Sequence, residues 1–153
     1  MFNFIVLRSV FVILIFTFTT SAKAISNDSK LLAECEFIYS YTAQLLQLQN
    51  NTGAAVNILR RSSMMSTANL ISNAQNGVVA ASLIKSWTEL RPYLKNKFDS
   101  QQMNPVAEAT KCDKAVVPIA IKIRDSKKML WGKDFDDLHK TLFQELRTSL
   151  GLW

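Results

Sequence analysis

Residues 29–51 read SKLLAECEFIYSYTAQLLQLQNN, and their periodicity decides the fold. No Gly or Pro interrupts the run, and Asp28 or Ser29 offers a side-chain oxygen to cap a helix at its start. Glu36, Ser40, Gln44, Gln47 and Asn51 recur four, four, three and four residues apart, a spacing that lines them along one helical face. The remaining surface is broad and apolar: Leu31, Leu32, Cys35, Ile38, Tyr39, Leu45, Leu46 and Leu48. A helix this widely apolar needs neighbours on several sides, so the pattern predicts a helix at the centre of a bundle.

Outward from this segment, Asn50-Asn51-Thr52-Gly53 is a turn signal, and a second helix is expected from Ala54 to about Gln75, before Asn76-Gly77. Val56, Leu59 and Leu70 fall on one line of it, with Ile58 and Met65 beside them. Its distinguishing feature is smallness. Gly53, Ala54, Ala55, Ser62, Ser63, Ser66, Thr67 and Ala68 admit close approach of another backbone. Arg60 and Arg61 interrupt this uncharged stretch, either as a solvated edge or as a pair facing a partner.

The third helix, about Val79 to Phe98, carries a core stripe of Leu83, Trp87, Leu90, Leu94 and Phe98. Pro92 lies inside it, which predicts a kink or restart near Thr88 to Arg91. Asn104-Pro105 is a capping residue followed by Pro at the first helical position, so a fourth helix begins there. Val106, Ala109, Cys112, Val116, Ile119 and Ile123 are its expected buried side. Ala115 to Ile123 also alternates like a short strand, a reading that Pro118 opposes for a central strand. A fifth helix is capped by Asp134 and ended by Gly151, with Phe135, Leu138, Leu142, Leu146 and Leu150 as its stripe. Asp134, Asp136 and Asp137 crowd its start, where carboxylates complement the helix dipole; they lack the spacing and Gly of a calcium loop. The fold class is therefore all-α, a small bundle of four to five helices.

Residues 1–24 have the parts of a secretory signal peptide: Arg8, an apolar stretch from Val10 to Phe18, and small residues around Ala22-Lys23-Ala24. Cleavage after Ala24 leaves residues 25–153 as one helical domain, exported to the periplasm or secreted. No Cys lies at the cleavage site to take a lipid anchor, and no later apolar run reaches the roughly 20 residues of a membrane helix. Cys35 and Cys112 both fall in the exported part, an even count that reads as a disulfide between the first and fourth helices. Their 77-residue separation is no redox or zinc spacing.

Composition excludes several function classes. Sixteen cations against twelve acids leave the exported domain at only +4, without the dense basic surface of a nucleic-acid binder. A single His, scattered acids, and the absence of Gly-x-Ser-x-Gly, phosphate-loop and His-Glu-x-x-His motifs give no catalytic constellation. His139 reads as a boundary residue near Asp136. A haem held between Met64 or Met65 and His139 is the sharper alternative, without an attachment motif to demand it, and no cofactor is called for.

Charge is most asymmetric between Lys122 and Lys133. Lys122, Arg124, Lys127, Lys128 and Lys133 stand against Asp125 alone, a local sum of +4, with Ile123, Met129, Leu130 and Trp131 interleaved. The bland explanation is a helix C-terminus attracting cations. The functional one is a surface for an acidic partner or an anionic membrane face. Trp153, after the helix stop, either folds back or forms a docking tail. By elimination the sequence points to a non-catalytic exported protein that binds another envelope protein as inhibitor, accessory subunit or adaptor. Its surface would combine residues 122–133 with Arg60, Arg61 or Trp153; the alternative is an anionic lipid or cell-wall binder using the same segment.

Overall fold

The computed structural model describes residues 25–75, 80–149 and 151, with side chains from 25–74, 88–149 and 151. Residues 1–24, which the sequence reads as a signal peptide, the side chains of Leu83 and Trp87, and Leu150 and Trp153 lie outside the described residues. Among the described residues five helices follow in order: α1 (Asn27–Leu48), α2 (Thr52–Gln75), α3 (Ala80–Asp99), α4 (Pro105–Asp125) and α5 (Phe135–Ser149). Among the described residues the only β pairing is an isolated bridge between Leu130 and Lys133. No helix among them is long and apolar enough to cross a membrane.

α1 and α2 form an antiparallel hairpin, and the other helices are laid on it. α4 packs on both, α3 chiefly on α1 and α5 chiefly on α2. The main core gathers Leu32, Ile38 and Tyr39 from α1, Met65 and Ile71 from α2, Leu94 and Phe98 from α3, Val116 from α4, and Phe135 and Leu138 from α5. A second cluster, Ala43, Ala55 and Leu59, closes the hairpin near its turn, with Phe143 and Leu146 of α5 against it.

Local chemistry accounts for the helix ends. α1 starts two residues before the expected position because Ser26, not Asp28 or Ser29, is the cap; its hydroxyl accepts from Ser29 N at 3.1 Å. Ser29 is instead buried, its hydroxyl bonded to Asn69 Oδ1 and accepting from Asn73 Nδ2 at 2.5 Å. α1 stops at Leu48 because Asn50 takes the left-handed conformation (φ 59°), which lets Asn51 N reach back to Leu46 O at 2.8 Å. α4 starts as its sequence dictates, with Asn104 Oδ1 accepting from Val106 N at 3.0 Å and Ala107 N at 3.2 Å.

Two expectations are corrected. α3 continues through Pro92 without a restart, whereas α4, helical through Pro118, bears out the helix reading of residues 115–123 over the strand. Both prolines lie on the exposed side of their helices, where water can reach the carbonyl one turn earlier. Val106 is 61% exposed rather than core. It follows Pro105, whose carbonyl faces Thr42 Oγ1 of α1 at 3.3 Å, so the next position turns about 100° away.

Cys35 and Cys112 form the disulfide between α1 and α4, both buried, with Cα atoms 5.6 Å apart. Beside it Tyr39 OH donates to Asp113 Oδ1 at 2.8 Å, and Arg61 Nη1 of α2 meets Asp113 Oδ2 at 2.5 Å, so three helices are tied at one level. Closing 77 residues restricts the unfolded chain by roughly 4 kcal/mol. Replacing both cysteines with Ala should lower the urea unfolding free energy by about 2–4 kcal/mol with helix content retained. Unchanged stability would remove the disulfide from the account.

Candidate functional site

α4 ends at Asp125, and Ser126 seals its last turn by donating its hydroxyl to Ile123 O at 2.6 Å. Lys127 then takes a left-handed conformation (φ 55°) and turns the chain toward α5. Leu130 and Lys133 exchange two backbone hydrogen bonds, Leu130 N to Lys133 O at 2.9 Å and Lys133 N to Leu130 O at 3.0 Å. Between them Trp131 (φ 54°) and Gly132 (φ 73°) are both left-handed, the backbone of a type I′ turn. Gly132 suits its place. Trp131 does not, since a bulky side chain there costs about 1 kcal/mol.

That cost is not offset by burial. Trp131 is 75% exposed and Met129 is 62% exposed, while Leu130 points inward against the main core. Lys122, Lys127 and Lys128 are exposed around the turn; Arg124 Nε meets Asp125 at 3.2 Å and Lys133 Nζ meets Thr141 Oγ1 at 3.1 Å. Trp131 and Met129 thus form an exposed apolar tip flanked along the chain by Lys127, Lys128 and Lys133. Its acids are close by. Arg124, Lys127, Met129, Asp134 and Asp136 line one shallow cleft, so the surface is mixed in charge rather than uniformly basic. Over residues 122–137 five cations face four acids, a balance of +1.

Arg60 and Arg61 are engaged by their own chain. Arg61 is held by Asp113, and the Arg60 guanidinium lies 5.2 Å from the centre of the Phe143 ring. His139 Nε2 donates to the Arg60 carbonyl at 3.1 Å, and Met65 is fully buried in the core. Among the described residues no cluster of His, Cys, Asp and Glu could hold a metal.

A second feature escapes the sequence reading. Glu36, part of the polar spacing on α1, is only 6% exposed because α2 and α5 cover that face. The turn of α1 around it is tied to α2: Ser62 Oγ donates to the Glu36 carbonyl at 3.1 Å and meets Ser40 Oγ at 2.7 Å. Arg91 Nη2 of α3 approaches Glu36 Oε1 at 3.3 Å. Burial pushes the Glu36 carboxyl above the ordinary value of 4.5, against the opposing pull of Arg91 and of hydrogen bonds from Ser66 and Arg91. The sequence signal available was weak. A Glu on a helix, facing the small-residue helix rather than a long-chain one, is the only hint.

No family model, curated protein or solved structure matches this chain.

Because the folded protein holds the Glu36 proton more tightly than the unfolded chain, this group's contribution to stability is whole below about pH 4.5 and lost as pH rises through the folded value. Glu36→Gln should therefore gain stability over wild type as pH rises from about 4 to 8. Urea midpoints across that range check this; a gap that is flat or shrinks with pH would contradict it.

Proposed function

We propose that this is an exported, non-catalytic binding protein that docks on another envelope protein through the turn from Lys127 to Lys133, with Trp131 as its anchor. The observation that carries the reading is Trp131 itself: a large aromatic residue held in a left-handed backbone at the tip of a tight turn and left in water. Such a placement costs stability and brings little burial in return, which is the pattern of a residue kept for an external contact. Trp and Met are favoured anchors at interface centres, and lysines around them select an acidic rim.

A protein partner fits better than an anionic membrane face. A lipid surface rewards summed positive charge, and Asp134, Asp136 and Asp137 beside the turn reduce that sum to near zero. A protein partner can match alternating charges position by position. Inhibitor, accessory subunit and adaptor are the roles this surface suits.

The test uses Trp131→Gly, which removes the anchor and relieves the backbone. Thermal unfolding should show it at least as stable as wild type, by up to about 1 kcal/mol. With the purified exported protein immobilised against envelope extract, wild type should retain one dominant partner, and Trp131→Gly should weaken that complex at least about tenfold. A partner retained equally by Trp131→Gly rejects the reading. Salt-sensitive binding to anionic liposomes with no captured protein would replace it with the lipid one.

A further inference from the structure

The second half of α5 does not close fully onto the hairpin. A cleft opens between α1 and α5, with α3 on one side and α2 on the other, and Glu36 is shared by its two adjoining hollows. One hollow is walled by Phe37 and Tyr41 with Arg91 at its rim, the other by Leu70 and Leu142 with Glu145 at its mouth; Leu146 and Ser149 belong to both. The cleft uses residues 142–149, whereas the basic turn precedes residue 135, so the two sites occupy opposite ends of α5.

The Glu36 carboxylate is incompletely satisfied. A carboxylate can accept about four hydrogen bonds, and a charge-assisted contact to Arg normally closes to about 2.8 Å. Glu36 has Ser66 and a single Arg91 nitrogen at 3.3 Å, from a side chain that is itself 53% exposed. Arg91 is thus a loose, solvated partner of a buried acid.

The walls complete the chemistry. Phe37, Tyr41 and Phe98 form a stack, with the Tyr41 and Phe98 centres 4.9 Å apart and those of Phe37 and Tyr41 6.0 Å apart. The Tyr41 hydroxyl donates to Asp99 at 2.8 Å, which fixes the ring beside the cleft. Aromatic rings lining a cleft beside a buried carboxyl group favour a cation there, and Leu142 and Leu146 offer apolar surface to its stem. Among the described residues the lining carries two acids, Glu36 and Glu145, and one cation, Arg91.

We infer that this cleft is a binding site for an ammonium or guanidinium group on an apolar stem, whose cation takes the place of Arg91 at Glu36. Free alkylamines and a basic side chain of a bound peptide share this chemistry. The internal Arg91 contact makes the site self-occupied when empty of ligand, so removing Arg91 strengthens binding instead of destroying it.

The experiment is an NMR titration of the purified exported protein, disulfide intact, with hexylammonium, hexylguanidinium and hexanol, following Tyr41 and Leu146. The two cations should bind saturably and at least about tenfold more tightly than hexanol. Arg91→Met, which keeps the stem and removes the charge, should tighten the cations severalfold, and Glu36→Gln, nearly isosteric, should weaken them at least about tenfold. Hexanol binding as tightly as the cations, Glu36→Gln binding unchanged, or Arg91→Met binding more weakly would each overturn the assignment. An acetylated arginine peptide amide separates the sources: competition with hexylguanidinium upholds a cation site open to peptide side chains, and its exclusion while hexylguanidinium binds upholds one restricted to small amines.

Discussion

The close approach of α1 and α2 is the constraint on which the rest of the structure depends. Where the two helices cross, the facing residues are Ser40, Ala43, Ala55 and Ser62, and the hydroxyls of Ser40 and Ser62 lie 2.7 Å apart. Hydroxyls at such a seam must be bonded, and they are: Ser62 serves the Glu36 carbonyl, Ser63 donates to Arg60 O, and Thr67 to Ser63 O. Small size brings the backbones together, and local hydrogen bonding lets polar atoms be buried there at little cost. With the hairpin this tight, α4 reaches both of its helices at once. The disulfide and the Tyr39–Asp113–Arg61 group then fix α4 in place.

The same closeness creates the buried carboxylate. Glu36 would face water on an isolated α1, but α2's short side chains draw α5 inward over that face without filling it. A cleft remains where a bulkier α2 would have left either a filled seam or an open surface. The basic turn arises differently, from the need to connect α4 to α5 across a few residues, and its left-handed tip is framed by the Leu130–Lys133 bridge, with Leu130 resting on the core.

Much of this was legible in the sequence because caps and stripes are local signals. Asn104-Pro105, Asp134 and the stripe Phe135, Leu138, Leu142, Leu146 each report on neighbours a turn away, and the helices, their order and the cysteine pair follow from them. What was not legible depends on which helix covers which face. Glu36, Ser40 and Gln44 share one spacing, yet Glu36 is buried and Gln44 exposed, because the coverage by α2 and α5 changes along α1. Pro92 did not restart α3, and it lies on the exposed side of that helix. The segment from Lys122 to Lys133 was visible as charge, while the exposed, left-handed Trp131 was not, since nothing in composition distinguishes a tip from a buried anchor.

The seam between α1 and α2 can be tested by one substitution whose sign decides the matter. Ser62→Val adds apolar volume at a fully buried position and removes the hydroxyl that serves Glu36 and Ser40. If helix separation is set by small residues, urea unfolding should show a loss of about 1–3 kcal/mol from overpacking. A neutral or stabilising Ser62→Val would mean that the seam has room to spare and that small side chains do not set the spacing of the hairpin.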